Sequence, residues 1–318
     1  MPQPKREHPQ EKSNLHPRSK HRGRYDFAAL TASCPALTPF VRKNDYGDLS
    51  IDFFDPEAVR VLNKAILKHF YGIDSWDIPA NYLCPPIPGR VDYLHYAADL
   101  LAGTSRGRVV PTGNAVRCLD IGVGASGIYP ILGRVEYGWS FVGADIDPVA
   151  LASARQIVEA NAATLGNIEL RLQENPKDIF AGIIRPGERF DLVVCNPPFH
   201  ASAEEARAGT LRKLSNLKHK KITKPTLNFG GQASELWCEG GEERFVADMI
   251  RQSQQFASSC FWFTTLISKE SHLKNAYVAL QRARAMDVRT IDMGQGNKVS
   301  RVLAWTYLGQ QEQKAWIE

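Results

Sequence analysis

Seven short apolar runs, separated by amphipathic stretches, constrain the fold of this chain more than any other feature. The runs are rich in β-branched or aromatic residues and end at glycine, proline or polar residues, as buried strands do. They are Val116–Ile121, Ser140–Asp145, Ile168–Leu172, Phe190–Cys195, Cys260–Ile267, Asp287–Met293 and Arg301–Leu308. Stretches with helical spacing lie between them, for example near 242–258 and 273–285. This alternation predicts an α/β protein with a seven-stranded, doubly wound sheet whose last strand enters as a hairpin partner.

The composition is that of a globular chain. Its 318 residues are 43% hydrophobic and 23% charged, which is enough to bury a full core. No apolar run approaches the roughly 20 residues needed to cross a bilayer, and the basic N-terminus lacks the apolar centre of a signal peptide. The six cysteines contain no C-x-x-C pair. We therefore expect reduced thiols, a cytoplasmic protein and no metal site.

The sequence Asn196-Pro197-Pro198-Phe199 directly follows the fourth predicted strand. Paired prolines end a strand, and a proline biases the preceding residue toward extended geometry. Asn196 is therefore expected at the carboxyl edge of the sheet, where open α/β sheets bind ligands. Its amide oxygen and the carbonyl of Pro197 are two acceptors suited to an exocyclic amine, and Phe199 offers a face for stacking a flat ring. A simple strand exit is the alternative interpretation.

A glycine-rich turn follows the first predicted strand and leads into a helix. Gly122, Gly124 and Gly127 form a G-x-G-x-x-G pattern, which permits a tight turn and close approach of the backbone to a ligand. The pattern alone is a weak signal, because dinucleotide-binding enzymes use it as well.

Acidic residues at the ends of the first two strands indicate whether the ligand at this turn is a dinucleotide or a cationic molecule. Asp120 lies two residues before the first glycine, where a carboxylate repels a pyrophosphate and attracts an ammonium group. Asp145 ends the second strand and is placed to accept both hydroxyls of a ribose, although a turn or helix-capping role is the alternative. An amino acid joined to an adenosine describes S-adenosylmethionine, which we predict as the cofactor.

The third predicted strand should contribute the contacts to the adenine. Gln173, Asn175 and Phe180 follow this strand as polar or apolar candidates, and their spacing does not choose between them. Gln173 is retained as a candidate cofactor-binding residue.

The N-terminal residues 1–24 form a basic, proline-rich arm. Their excess of Lys and Arg over Glu equals the formal net charge of the whole chain, +5. The arm has few large apolar residues, so we predict that it is disordered on its own. Lys5, Arg6, Arg22 and Arg24 are candidate contacts to RNA phosphates, and a solubilising tail is the alternative.

Residues 25–89 are predicted to form a small helical module in front of a main domain at 90–318. Asp55-Pro56-Glu57 begins a helix that should end near Gly72, and Leu83–Gly89 is predicted to be a non-helical linker or strap.

A basic insertion at 201–241 leaves the predicted sheet beside Asn196. It supplies the candidate RNA-binding residues Arg212, Lys213, Lys218, Lys220 and Lys221. Lys298 and Arg301, near a predicted hairpin tip, are further candidates. A solvated loop and a plain turn are the respective alternatives.

Three strings resemble the class I S-adenosylmethionine-dependent methyltransferases, which have a Rossmann-like fold: Leu119–Pro130, Gly143–Asp147 and Cys195–Phe199. Within this class the chain most resembles the ribosomal RNA large subunit methyltransferase F family, through Asp55–Arg60, Ile87–Tyr93, Gly240–Glu242 and the segment from Gly294 to Trp305. The resemblance implies methylation of the N6 amine of an adenosine in large-subunit (23S) ribosomal RNA. It also implies that Arg90 reaches the carboxylate of the cofactor. The expected partner is ribosomal RNA or a pre-ribosomal particle.

Three rival functions remain at this point. An N5-glutamine protein methyltransferase or a guanine-N2 RNA methyltransferase would use the same Asn-Pro-Pro pocket, and a non-catalytic RNA-binding protein would need only the basic segments. The basic segments disfavour a protein substrate, and the family strings disfavour guanine. The combination of Asp120, Asp145 and Asn196 disfavours a pure binding protein.

Overall fold

The main sheet of the protein has seven strands, as the sequence predicts. The computed structural model describes residues 12–44, 46–103, 109–202, 204–205, 233–295 and 298–317, and every helix within these ranges is too short or too polar to span a bilayer. The main strands are β3 (Arg117–Ile121), β4 (Ser140–Asp145), β5 (Ile168–Leu172), β6 (Phe190–Cys195), β7 (Cys260–Ile267), β8 (Asp287–Gln295) and β9 (Lys298–Thr306). A separate small hairpin pairs β1 (Arg42–Lys43) with β2 (Leu49–Ser50).

The order of strands across the sheet is β5-β4-β3-β6-β7-β9-β8. Strands β3 to β7 pair in parallel, whereas β9 lies antiparallel to both β7 and β8. The predicted doubly wound sheet with a terminal hairpin is therefore confirmed. Because the order reverses beside β3, the ends of β3, β4 and β6 meet at one edge, where Ile121 pairs with both Ala144 and Cys195.

Helices pack on both faces of this sheet. They are α1 (Phe27–Ser33), α2 (Pro56–Tyr71), α3 (Ile87–Ala102), α4 (Ile128–Tyr137), α5 (Pro148–Ala160), α6 (Ala162–Leu165), α7 (Ala233–Leu236), α8 (Gly241–Ser253), α9 (Ser271–Arg282) and α10 (Gln310–Ile317). Alternate residues of a strand join different cores, since Cys118 packs with α2 to α4 and Leu119 packs with α8 and α9.

Helix α2 begins and ends as predicted. The Asp55 side chain accepts a hydrogen bond of 2.9 Å from Glu57 N, and Pro56 occupies the first helical position. The helix stops at Gly72, whose φ of 65° is the left-handed conformation that glycine adopts without strain.

Helix α3 begins earlier than predicted. Leu83–Gly89 was expected to be non-helical throughout, but Ile87, Pro88 and Gly89 form the first turn of α3. A proline in the first turn costs no hydrogen bond, because the amides of that turn have no acceptor within the helix. The predicted boundary between residues 89 and 90 therefore falls inside a helix.

Residues 12–24 of the predicted disordered arm pack on α3. His16 N donates to Asp92 Oδ2 over 3.0 Å, and the Arg18 guanidinium binds Asp99 Oδ1 over 2.7 Å and the carbonyl of His95 over 2.7 Å. These fixed acceptors compensate the ordering of a segment that has little apolar surface of its own. Residues 1–11, including Lys5 and Arg6, lie outside the described residues.

The predicted N-terminal module does not have a core of its own. Its buried residues, among them Leu30, Leu62 and Leu67, belong to the same apolar cluster as Trp139 of the sheet domain. The division at 25–89 and 90–318 remains a proposal about folding units, and the shared core argues against it.

Candidate cofactor and acceptor site

A cleft of about 520 Å³ opens at the carboxyl edge of the sheet. It brings together most of the residues predicted to bind a cofactor, namely Arg90, Gly122, Gly124, Asp145, Gln173 and Asn196. They come from α3, from the turn after β3 and from the ends of β4, β5 and β6. The topology thus assembles a site from segments that are far apart in the sequence.

The glycine turn holds one wall of this cleft. Gly122 and Gly124 have φ values of 77° and 64°, which residues with a side chain rarely adopt. Gly127 caps the start of α4 with a φ of 57° and does not line the cleft itself. The predicted tight turn is present at all three positions.

Asp145 is fixed by this turn. Its Oδ2 accepts a hydrogen bond of 2.8 Å from Gly124 N, and its Oδ1 accepts one of 3.0 Å from Asp147 N. Burial raises the pKa of the Asp145 carboxyl, and the two backbone amides act against this rise. Each carboxylate oxygen retains a further lone pair for hydroxyl groups of a ligand.

Asp120 lies behind the cleft, which differs from the expected direct contact. The residue is completely buried, and neither carboxyl oxygen has a hydrogen-bond partner among the described residues. Burial and the charge of Asp145 raise the pKa of Asp120, whereas the charge of Arg90 opposes the rise. Burying a carboxyl group without a hydrogen-bond partner costs free energy, so a donor or a cation placed near Asp120 would stabilise it.

Arg90 projects from the first turns of α3 into the cleft. Only 8% of the residue is exposed, and its Nη1 donates to Tyr129 Oη over 2.9 Å. Its Nε is buried without an acceptor in the described structure, so the guanidinium retains a donor for an anionic group. This is compatible with the carboxylate-binding role that the family resemblance implies.

Asn196 stands between the cleft and a second cavity of about 80 Å³. The residue is half-buried, and its Oδ1 has no partner among the described atoms. Pro197 and Pro198 line the larger cleft, and Phe199 lines the smaller cavity. Asn196 and Arg90 are common to both, so two ligands bound side by side would meet at Asn196.

The residues after β5 clarify the expected adenine contacts. Phe180 is fully buried among Phe256 and Phe263, so it is a core residue and not a wall of the cleft. Gln173 lines the cleft, but its amide already donates to Ala181 O and accepts from Asn175 N. Its role toward the cofactor therefore remains a prediction.

Sequence reasoning missed other walls of the cleft. Asp178 and Ile179 line it on the side of β5. The sequence pattern that could have identified them is an acidic residue followed by an apolar residue shortly after a strand. The strap at Leu83 and the segment 235–239 line it opposite the glycine turn, and Trp237, expected to be a core or loop anchor, lies there too. Leu83 N donates to Glu235 Oε2 over 2.8 Å.

The predicted RNA-binding residues fall into two groups. Arg22 is half-buried, Arg24 binds Asp48 over 2.9 Å, and Arg301 binds Glu270 over 2.8 Å. Each thus has contacts within the chain that would compete with phosphate. The residues Arg212, Lys213, Lys218, Lys220 and Lys221 lie outside the described residues, as does the side chain of Lys298. Their role in RNA binding remains a prediction.

The arrangement fits S-adenosylmethionine. The free donor of Arg90 suits a carboxylate, the open lone pairs of Asp145 suit ribose hydroxyls, and an ammonium group in the cleft would stabilise the buried Asp120 behind it. Within the described ranges, no three His, Cys, Asp or Glu side chains are grouped so that they could hold a metal ion. The fold and this site define a class I S-adenosylmethionine-dependent methyltransferase.

Comparisons with known proteins identify the family. Residues 9–309 match the sequence profile of an RNA methyltransferase family. Two relatives are named ribosomal RNA large subunit methyltransferase F. The one from Cytophaga hutchinsonii is 62% identical over 313 residues, covering 98% of this chain and 97% of the relative. The one from Yersinia enterocolitica is 58% identical over 309 residues, covering 97% and 92%. The chain belongs to the ribosomal RNA large subunit methyltransferase F family.

Solved structures agree with this assignment. The catalytic domain of human METTL16 in complex with an RNA hairpin (MAT2A 3′UTR hairpin 1) has a TM-score of 0.77 and 29% identity, covering 92% of this chain and 96% of that one. The N-terminal domain of human METTL16 in complex with SAH has a TM-score of 0.72 and 27% identity, covering 93% and 99%. The predicted fold, family and cofactor are confirmed.

Proposed function

We propose that this chain transfers a methyl group from S-adenosylmethionine to the N6 amine of an adenosine in large-subunit (23S) ribosomal RNA. The names of the relatives support the RNA, and the position of Asn196 between two cavities carries the chemistry. The larger cavity suits the cofactor and the smaller one the acceptor base. Such a substrate implies a cytoplasmic enzyme that acts on ribosomal RNA or a pre-ribosomal particle.

The proposed role of the Asn-Pro-Pro-Phe segment is to align the acceptor amine. The cofactor supplies a methyl group that its sulfonium already activates, so positioning can supply much of the acceleration. Asn196 Oδ1 and the carbonyl of Pro197 would accept the two amine hydrogens and leave the nitrogen lone pair directed at the methyl group. As the S–CH3 bond breaks and the N–CH3 bond forms, one of these hydrogens would leave as a proton to solvent. Phe199 would stack on the base from the smaller cavity, and Pro198 would hold the turn rigid.

Replacing Asn196 with alanine tests this proposal. We expect kcat to fall by at least about 100-fold, while the Kd for the cofactor changes by less than about threefold, because the amide acts on the acceptor. The assay measures transfer of tritium from labelled cofactor into ribosomal RNA, followed by nucleoside analysis. Near wild-type turnover of Asn196→Ala would refute the proposed role.

The nucleoside analysis also distinguishes the rival substrates. Label in N6-methyladenine supports the proposal, whereas label in N2-methylguanine or in protein would support the guanine or glutamine alternatives. A protein that binds RNA but transfers no label would be the non-catalytic alternative.

A further inference from the structure

Glu235 occupies a position in the cleft that the predicted cofactor contacts do not include. It belongs to the short helix α7 and faces the glycine turn, where its Oε1 lies 3.3 Å from the position that a Cβ atom would take on Gly124. Its Oε2 accepts the hydrogen bond from Leu83 N. One carboxylate therefore touches the strap on one side and borders the cofactor cleft on the other.

Carboxylates are concentrated at this end of the cleft. Tyr82 Oη donates to Asp147 Oδ2 over 2.7 Å. Burial raises the pKa of Tyr82, and this hydrogen bond and the charges of Asp147, Glu235 and Asp145 raise it further. Among the described residues that line the cleft, Asp145, Asp178, Glu235 and Glu239 supply negative charge, and Arg90 and Lys177 supply positive charge. The described lining therefore has an excess of negative charge.

Methyl transfer changes the charge of the cofactor, because the sulfonium becomes a neutral thioether. The donor consequently carries one more positive charge than the product, S-adenosylhomocysteine. A carboxylate beside the cleft stabilises the donor more than the product, because the Coulomb energy depends on the net charge of the ligand. A wall that is too acidic for a dinucleotide thus suits a cationic donor.

We propose that Glu235 is a specificity-determining residue, which makes the cleft bind the methyl donor in preference to the demethylated product. The proposal rests on the assigned cofactor and deepens the proposed function. Because the cleft would bind S-adenosylhomocysteine less tightly than S-adenosylmethionine, the product would be released more readily and would inhibit the next turnover less.

Glu235→Gln in the full chain tests this inference. Glutamine keeps an oxygen that can accept the hydrogen bond from Leu83 N, so the substitution removes the charge and preserves the contact. Isothermal titration calorimetry would give the Kd of S-adenosylmethionine and of S-adenosylhomocysteine for each protein. We expect the Kd of the donor to rise about fivefold or more, and that of the product less than about twofold.

Two further variants make the result specific to the charge of Glu235. Glu235→Asp keeps the charge and should keep the preference for the donor. Glu243→Gln removes the same charge from the first turn of α8, where Glu243 binds Asn275 and does not line the cleft, so both Kd values should stay as in the wild type. Melting temperatures without ligand would verify that all variants are folded.

The possible outcomes separate this inference from the proposed function. Equal weakening of both ligands by Glu235→Gln would mean that the residue only shapes the wall, and no change in either would mean that it has no role. Both results would overturn the inference. Failure of the wild-type chain to bind either ligand would instead contradict the cofactor assignment.

Discussion

Asp120 is a buried ionisable group that lies directly behind the cofactor cleft. In the folded protein its pKa is raised by burial and by Asp145, whereas in the unfolded chain the carboxyl ionises near its ordinary value of about 3.9. The folded state therefore holds this proton to higher pH than the unfolded state does. Stability is consequently lost as the pH rises through this window, up to the raised pKa of the folded protein.

Asp120→Asn should therefore stabilise the ligand-free protein at about pH 8, where the wild type bears the cost of an ionisable buried group. We expect a gain on the order of 1–3 kcal/mol in the free energy of unfolding, shrinking toward about pH 4. Urea denaturation at several pH values would measure it. The same variant should bind S-adenosylmethionine more weakly, since an amide does not neutralise an ammonium group. If the variant and the wild type had equal free energies of unfolding at every pH, the buried carboxyl of Asp120 would not be the cause of the pH dependence.

The residues of the site differ in how well the sequence predicts them. The positions of Asn196, Gly122 and Asp145 at the cleft were identifiable, because they follow from neighbouring residues, a strand end and a turn. Glu235 was not, because its contact with Leu83 joins positions 152 residues apart. The pKa shift of Asp120 has the same character, since it depends in part on the charges of Arg90 from α3 and Asp145 from β4.

Among the elements, the contact of α4 with β4 leaves no space at Gly133. A Cβ atom added there would lie 2.4 and 2.5 Å from two ring carbons of Phe141. The fully buried Phe141 side chain stands between α4 and the sheet, so relief requires a shift of the helix or the strand. The position of α4 matters for function because this helix begins at the glycine turn.

Gly133→Ala should lower the free energy of unfolding by about 1–3 kcal/mol through overpacking, although alanine is the better helix former. Chemical denaturation would measure the change. Gly23→Ala is the matched control, because nothing lies within 4 Å of its added Cβ. If both variants were as stable as the wild type, α4 would have to pack more loosely than the structure indicates.

The elements themselves were predictable where their signals are local. The strands were predicted to within one or two residues at most ends, because strand ends in this chain lie at or beside glycine or polar residues. The start of α3 was missed because prolines were taken to exclude a helix. The packing of residues 12–24 was missed because their partners, Asp92 and Asp99, lie 76 or more positions away.

At the scale of the whole molecule, two buried histidines lie where residues 12–24 pack on the domain. His21 belongs to this segment, and His95 belongs to α3. His21 hydrogen bonds with Tyr71 over 2.7 Å, and His95 with Tyr137 over 2.6 Å. Burial, aided by Lys12 and Lys20, lowers the pKa of His21 to about 4, and burial, aided by His16 and Arg18, lowers that of His95 to about 3. Both are therefore neutral in the folded protein.

Mild acid should loosen this packing. At pH values between the histidine pKa of about 6.5 in the unfolded chain and the lowered pKa values in the folded protein, the unfolded chain binds more protons. The stabilisation is therefore present above about pH 6.5 and is lost as the pH falls below it. At about pH 5 we expect a loss of about 2 kcal/mol for each histidine. Hydrogen exchange of residues 12–24 at about pH 7.5 and about pH 5 would detect it as reduced protection.

His21→Gln provides the control for this effect. A neutral amide does not titrate, so the variant should lose less stability between the two pH values than the wild type does. An identical loss in both proteins would show that His21 is not one of the responsible groups.

The antiparallel placement of β9 between β7 and β8 has a consequence for the order in which the sheet can be completed. Until β9 docks, the outer edge of β7 and the strand β8 have no neighbour in the sheet to pair with. The edge left open belongs to a strand in which every residue, from Cys260 to Ile267, is buried in the folded protein. A folding intermediate that lacks β9 is thus exposed to aggregation, and dependence on chaperones is expected to be greatest at that stage.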